Sequence, residues 1–471
     1  MAVPYPSNNV YLCKGFEPIR FECDYGDLVV EGEMPSHLSG CLFRIGPNPQ
    51  FAPRGAYNPL LGDGMIHAFR IHGGKVSYRN RWVRTEQWKL ERAAGRSLFS
   101  TSGSPRDVDP EVAGLKTDGV ANTNLVSHAG RLLALEEGHA PIRIDPDTLD
   151  TLGVWSFEGE LPDNMTAHPK IDPETGEMVF FANFPRRDFS GTIELYVANR
   201  AGDLVRSRRI TAPFASLVHD FAVTRNFIVF FVCPVTVSLE RVRSGGPAIA
   251  WEPQKKTWIG VVPRHTDTAE LLWIPMEASM AWHAMNAFDN GNVIHLDVCQ
   301  QNAAAFPSPT GSMPESRDLQ QLLTRWYITV TNGGNASKER LSEIVCEYPR
   351  IDERCSGREY RYGYVACLGG PGTGDPFHRA VGRFDHLTRR WDVYRPPTPC
   401  AVSEPIFVAR TKTSPEGEGY VLTVNFDEQR NTSYLTVYDA MHIACGPIAY
   451  AHLDHRVSMG FHGTWCDSSD G

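Results

Sequence analysis

Leu217-Val218-His219-Asp220-Phe221-Ala222-Val223-Thr224, continued by Phe227-Ile228-Val229-Phe230-Phe231-Val232, is a pair of short apolar runs rich in β-branched and aromatic residues. Each is too short for a buried helix, so the stretch reads as buried β-strand. A histidine and an aspartate sit inside it. Both are unfavourable in an apolar interior unless hydrogen bonds or a metal ion satisfy them. Alone, His219 reads as a core histidine held by hydrogen bonds. Whether it is more depends on other histidines in similar surroundings.

Working outward, the same grain recurs along the chain. An apolar residue, an Asp and a short turn with Thr stand between strand-like runs at Ile144-Asp145-Pro146-Asp147-Thr148, Ile171-Asp172-Pro173-Glu174-Thr175-Gly176 and Phe384-Asp385-His386-Leu387-Thr388. The Asp carboxylate suits the turn's backbone amides, and Thr suits the strand that resumes. Val437-Tyr438-Asp439-Ala440 is a shortened form of the same unit. Helical candidates are few: Gln87–Ala94 and Arg317–Leu323. Segments 302–315 and 368–376 read as long loops. Weak repeats at irregular spacing, without a long helical period, predict an all-β chain and favour a β-propeller over a sandwich. No composition break divides the sequence, so one domain is expected over 1–471.

The net charge of −9 offers no basic surface for nucleic acid. Eleven cysteines are dispersed without a CxxC pair, which argues against a zinc ribbon and for reduced thiols. Met1-Ala2-Val3-Pro4-Tyr5-Pro6-Ser7-Asn8-Asn9 lacks the pattern of a signal peptide, and no apolar run reaches the length of a spanning helix. A cytoplasmic location without a transmembrane segment is the expectation; peripheral membrane contact is left open.

Among 16 histidines, four stand in apolar or small-residue contexts far apart in the chain: His168 in Met165-Thr166-Ala167-His168-Pro169-Lys170, His219, His283 in Ala281-Trp282-His283-Ala284-Met285, and His462 in Gly460-Phe461-His462-Gly463-Thr464-Trp465. One ligand per propeller blade, converging on an axis, has this spacing. By contrast, His67 reads as structural, and His128, His265, His386 and His455 as surface turns. His295 lies in an alternating strand. Four neutral imidazoles suit Fe(II) and leave positions open for dioxygen. An all-histidine site needs carboxylates behind the rings to fix their tautomers. Glu137, Glu347 and Glu404 are acidic residues in otherwise apolar settings and are the candidates.

At these residues the chain resembles the carotenoid cleavage oxygenase family, which includes the bacterial lignostilbene and phenylpropenoid-cleaving dioxygenases. The resemblance runs from Gly40-Cys41-Leu42-Phe43-Arg44-Ile45-Gly46-Pro47-Asn48-Pro49 and Gly62-Asp63-Gly64-Met65 to the final Gly460–Trp465 segment. It implies a seven-bladed β-propeller with a loop and helix dome over the active-site face. One Fe(2+) per chain is implied, held by His168, His219, His283 and His462, with Glu137, Glu347 and Glu404 behind them. Thr123 matches the threonine whose methyl crowds an open iron position, and Phe306 keeps an aromatic in a segment that lines the tunnel of relatives. The implied activity is cleavage of a carbon–carbon double bond by dioxygen to two carbonyl products, on a small hydrophobic alkene. A propeller that only binds a ligand leaves the histidines and glutamates unexplained.

Where lignostilbene-type members carry a Tyr and a Lys that hold a phenolic hydroxyl, this chain has Ser102 and Glu136, and Leu60-Leu61 replace an aromatic pair. These departures favour an apocarotenoid or similar conjugated alkene as substrate. Stilbenes and phenylpropenoids are the alternative.

Overall fold

The Asp-led turns form as their chemistry requires. Asp145 Oδ1 accepts the amides of Asp147 and Thr148 at 2.9 and 2.8 Å, and Asp172 Oδ1 those of Glu174 and Thr175. Asp385 does the same for Leu387 and Thr388. Each carboxylate satisfies donors that the strand ladders release at the turn. The result, in a computed structural model that describes residues 3–161, 163–185, 189–266 and 270–468, is a mostly β chain. Its helices are short; the longest among the described residues, Glu86–Ala94, is capped by Thr85 and ended by left-handed Gly95. No helix of the described residues is long and apolar enough to cross a membrane.

The chain divides into two compact units: Met1–Ala167, Pro396–Lys412 and Gly419–Gly471 form one, His168–Arg395 and Thr413–Glu418 the other. In the first, Gly40–Pro47 pairs antiparallel with both Gly64–His72 and Gly463–Asp467, so the two ends of the sequence share one sheet. All eight residues of Gly40–Pro47 are buried. A four-stranded sheet of Asn124–His128, Arg131–Leu135, Ile142–Ile144 and Thr151–Val154, and a six-stranded sheet around Gly419–Asp427, complete this unit.

The second unit holds two four-stranded antiparallel sheets, a two-stranded ribbon and a seven-stranded sheet. The stretch Phe221–Val232 forms a hairpin, with Phe221–Val223 pairing Phe227–Val232. Thr224 Oγ1 accepts the amides of Asn226 and Phe227 and closes the turn. In the seven-stranded sheet one 17-residue strand, Asn335–Ile351, pairs through its first part with Leu322–Thr329 and through its last part with Tyr362–Cys367. It serves two meanders. Trp326, fully buried, packs edge-on against Phe231 at 5.9 Å between ring centres, within a cluster that includes Val229, Ile259, Ile294 and Leu296.

Three expectations need correction. His128, expected in a surface turn, is the buried last residue of the strand Asn124–His128. Arg317–Leu323 is not a helix: Ser316–Leu319 is a single 3₁₀ turn and Leu322 opens a strand. His386 is not a surface turn; its side chain is 5 % exposed, accepts from Arg325 at 3.1 Å, and lies against Tyr360 and Phe384. It sits in the turn after Ala380–Asp385, and its contacts with Arg325, Tyr360 and Phe384 bury the ring.

Candidate metal centre

His168, His219 and His283, all in the second unit, occupy places where strand ladders have not begun or have slipped. His168 precedes the strand Lys170–Ile171, and His219 precedes Phe221–Val223. Each opens the first strand of its sheet. His283 lies inside Met280–Asp289, where the register with Val293–Gln301 shifts between Ala281 and Ala284. Such slips re-aim a side chain that a regular pleat would point elsewhere.

The three rings converge. His219 Nε2 stands 3.1 Å from His168 Nε2 and 3.1 Å from His283 Nε2, and the ring centres are 4.5 to 5.0 Å apart. One donor atom from each residue lies within 4.8 Å of the others. His283 Nδ1 is 2.7 Å from Glu347 Oε2. A carboxylate only accepts, so Nδ1 carries the proton and Nε2 turns a lone pair toward the cluster. Lone pairs facing one another repel unless a cation sits between them. Two nitrogens bound at right angles, at ~2.1 Å each, stand roughly 3.0 Å apart, so the spacing suits a divalent metal.

Glu347 is itself placed by a slip, between Glu347 and Arg350, with Tyr348 in a left-handed conformation at φ 54°. Burial by itself would raise its carboxyl, but the charge and hydrogen bond of His283 and the Tyr348 amide hold it below the ordinary value. Its Oε1 is buried and finds no hydrogen-bond partner among the described residues. Tyr348 stacks on His283 at 5.9 Å. Beside His219, Trp282 lies edge-on at 4.8 Å and Phe306 lies 6.0 Å beyond it, forming an aromatic wall.

The remaining candidates belong to the first unit. His462, just ahead of the strand Gly463–Asp467, gives Nδ1 to Glu404 Oε1 at 2.9 Å, while Glu404 Oε2 accepts the Gly463 amide at 2.9 Å. Its own amide donates to the Thr123 carbonyl at 3.2 Å. Arg44, 3 % exposed, reaches the Glu404 carboxylate and carbonyl at 3.4 Å each and the Phe461 carbonyl at 3.0 Å. Arg44 was not foreseen as part of this arrangement, although a cation inside Cys41-Leu42-Phe43-Arg44-Ile45 is as misplaced as the three glutamates. Glu137 is half-buried just past the strand Arg131–Leu135, with its carbonyl held by Asn164 at 2.9 Å. Ser102 is engaged with Ser100 and Asp107, and Glu136 with His139. Leu60 and Leu61 form a 3₁₀ turn whose carbonyls at Pro59, Leu60 and Gly62 are gathered by Asn122, the neighbour of Thr123.

A mostly β chain with converging imidazoles, one of them backed by a carboxylate, has a donor set that could hold a metal ion. Residues 16–467 match the family described as retinal pigment epithelial membrane protein, RPE65. The chain belongs to this family, that of the carotenoid oxygenases, and is an alkene-cleaving oxygenase. It is 33 % identical to isoeugenol monooxygenase of Pseudomonas putida over 480 residues, 98 % of each chain. The lignostilbene dioxygenase of Pseudomonas brassicacearum is similar in structure with a TM-score of 0.94 and 31 % identity, covering 99 % of this chain and 100 % of that one. Synechocystis apocarotenoid oxygenase, in a mutant form, matches with a TM-score of 0.85 and 28 % identity over 96 % and 98 % of the two chains.

Proposed function

We propose that this chain is a non-heme iron dioxygenase that cleaves the double bond of an aryl-conjugated alkene into two carbonyl products. The observation that carries the reading is the convergence of three imidazole nitrogens, from buried His168 and His219 and half-buried His283, in a chain of the carotenoid oxygenase family. His168, His219 and His283 are the proposed iron ligands. His462 joins them on its sequence match and on a glutamate partner equivalent to that of His283. Glu137 is assigned to the same supporting role as Glu347 and Glu404, on sequence match. Iron(II), when bound, supplies the redox chemistry that lets dioxygen react with an alkene.

The chain's own residues do the rest. Glu347 and Glu404 each hold a Nδ1 proton, so the imidazoles present lone pairs in one fixed orientation. Tyr348 packs against His283 and limits its rotation. Trp282 and Phe306 give a partly buried aromatic wall beside His219, suited to stacking a conjugated substrate. Thr123 is proposed to crowd one open position of the metal.

An aryl alkene of the phenylpropenoid or stilbene type comes first because isoeugenol and lignostilbene enzymes are among the most similar relatives. An apocarotenoid is the second reading, favoured by Leu60, Leu61 and Ser102 in place of aromatic and phenol-holding groups. We extend the proposal to the architecture: one seven-bladed β-propeller domain with a loop and helix dome. Counting the sheet that shares Asn335–Ile351 as two, and leaving out the ribbon, gives seven antiparallel sheets. A cytoplasmic setting fits eleven free cysteines.

The test is a cleavage screen of iron-loaded protein with isoeugenol, resveratrol and an apocarotenal under labelled dioxygen, read by mass spectrometry. Label in both carbonyl products from an aryl alkene is expected. Turnover of the apocarotenal alone would reverse the substrate order, and products of unchanged oxygen content would contradict the dioxygenase reading.

A further inference from the structure

Asp220 follows His219 in the sequence, is 1 % exposed, and is not one of the converging donors. Its two oxygens reach three separate segments. Oδ1 accepts the Phe221 amide at 2.8 Å and lies 2.7 Å from Lys170 Nζ; Oδ2 accepts the Ala284 amide at 2.8 Å. Lys170 stands just beyond His168, and Ala284 is the residue after His283. One buried carboxylate therefore ties together the segments that carry all three imidazoles.

Each contact has a physical reason. The Ala284 amide lies at the register slip that re-aims His283. A buried amide needs an acceptor, and a side chain from another sheet supplies it. The carboxylate is 1 % exposed and needs a cation beside it, which Lys170 provides. The ammonium also sits over the Phe221 ring, 5.8 Å from its centre, on the strand that follows His219. The pair is close to neutral as a unit, so it holds the segments without adding net charge beside a cation. Asparagine cannot replace it: one carbonyl oxygen and one amino group cannot accept from amides on two sides.

We infer that Asp220, with Lys170, is the positioning pair of the metal centre, setting the spacing of His168, His219 and His283 through their backbones. The inference rests on the metal reading above. Unlike Glu347, which orients one ring, Asp220 fixes three segments against each other.

The test uses the full-length protein, stripped of metal and titrated with Co(II), with ligand-field absorption and affinity as readouts. Asp220→Asn and Lys170→Met are each expected to shift the cobalt spectrum and weaken binding by about ten- to a hundredfold. Asp385→Asn breaks another ion pair of the same unit, Arg361–Asp385 at 2.7 Å, in which only the carboxylate is buried. It is expected to lower thermal stability and leave spectrum and affinity as in the wild type. If Asp220→Asn does not fold, Lys170→Met decides in the same way. Wild-type spectrum and affinity in the variants would overturn the positioning role while the metal reading stands. An equal spectral change in Asp385→Asn would overturn it as a general loss of stability. A wild-type protein that takes up neither cobalt nor iron would remove both readings together.

Discussion

Glu404 shows how much one side chain can be asked to do. It accepts from His462, the Gly463 amide and Arg44, all while 2 % exposed. Glu404→Gln keeps an acceptor for one donor but loses the charge and the capacity for the others. Iron affinity is expected to fall by about ten- to a hundredfold, measured by metal competition. Unchanged occupancy and turnover would refute the role. At this scale the legible signal is a polar residue that interrupts an apolar run, as at His219, His283, Glu347 and Glu404, and Arg44 carries the same signal without having been read from it. Asp220 met the same criterion, but besides the neighbouring Phe221 amide its partners, Lys170 and the Ala284 amide, come from other sheets, and no local pattern encodes those pairings.

Strands and turns were legible where the signal is local. Asp145, Asp172 and Asp385 do in the structure what their sequence setting requires, and Asp427, which holds the amides of Gln429 and Arg430, follows the same rule. Arg317–Leu323 failed for a non-local reason. Its apolar spacing suits a helix, but Leu322–Thr329 is enclosed by Val293–Gln301 and Asn335–Ile351, and two ladders outweigh local preference. The slips at Ala281–Ala284 and Glu347–Arg350 were likewise invisible, since a slip depends on what lies opposite. The same sheet sets a stability prediction. Trp326 is fully buried against Phe231 and bonds Gln300 at 2.8 Å, so Trp326→Ala is expected to cost about 3–5 kcal/mol by chemical denaturation. A loss under 1 kcal/mol, within the range of an ordinary surface change, would show that this packing is not the core of the sheet.

For the molecule as a whole, the family was legible from four short motifs, whereas substrate choice depends on side chains such as Ser102 and Glu136 whose partners sequence does not name. Buried titratable groups set part of its pH response. Burial lowers His67 to about 3 and His378 and His386 to about 4, so all three fold as neutral rings. Their stabilising contribution is present above the unfolded value and is lost as pH falls toward those values. Burial, with Glu91 nearby, raises Asp63 to about 8. Its contribution is present below the ordinary carboxylate range and is lost as pH rises toward 8. Taken by itself, the Asp63 proton makes stability fall by at most about 1.4 kcal/mol per pH unit between about 6.5 and 8. Asp63→Asn is expected to remove that alkaline decline in pH-dependent melting; a wild-type profile flat from 6.5 to 8 would contradict the assignment.

The central claim is that His168, His219 and His283 gather around a metal. Metal analysis of the purified protein tests it most directly, comparing wild type with His219→Ala after loading with Fe(II) under nitrogen. About one iron per chain in the wild type, lost on removing the imidazole that faces both of the others, is the predicted result. A wild type without iron, or a variant that retains it in full, would contradict the account.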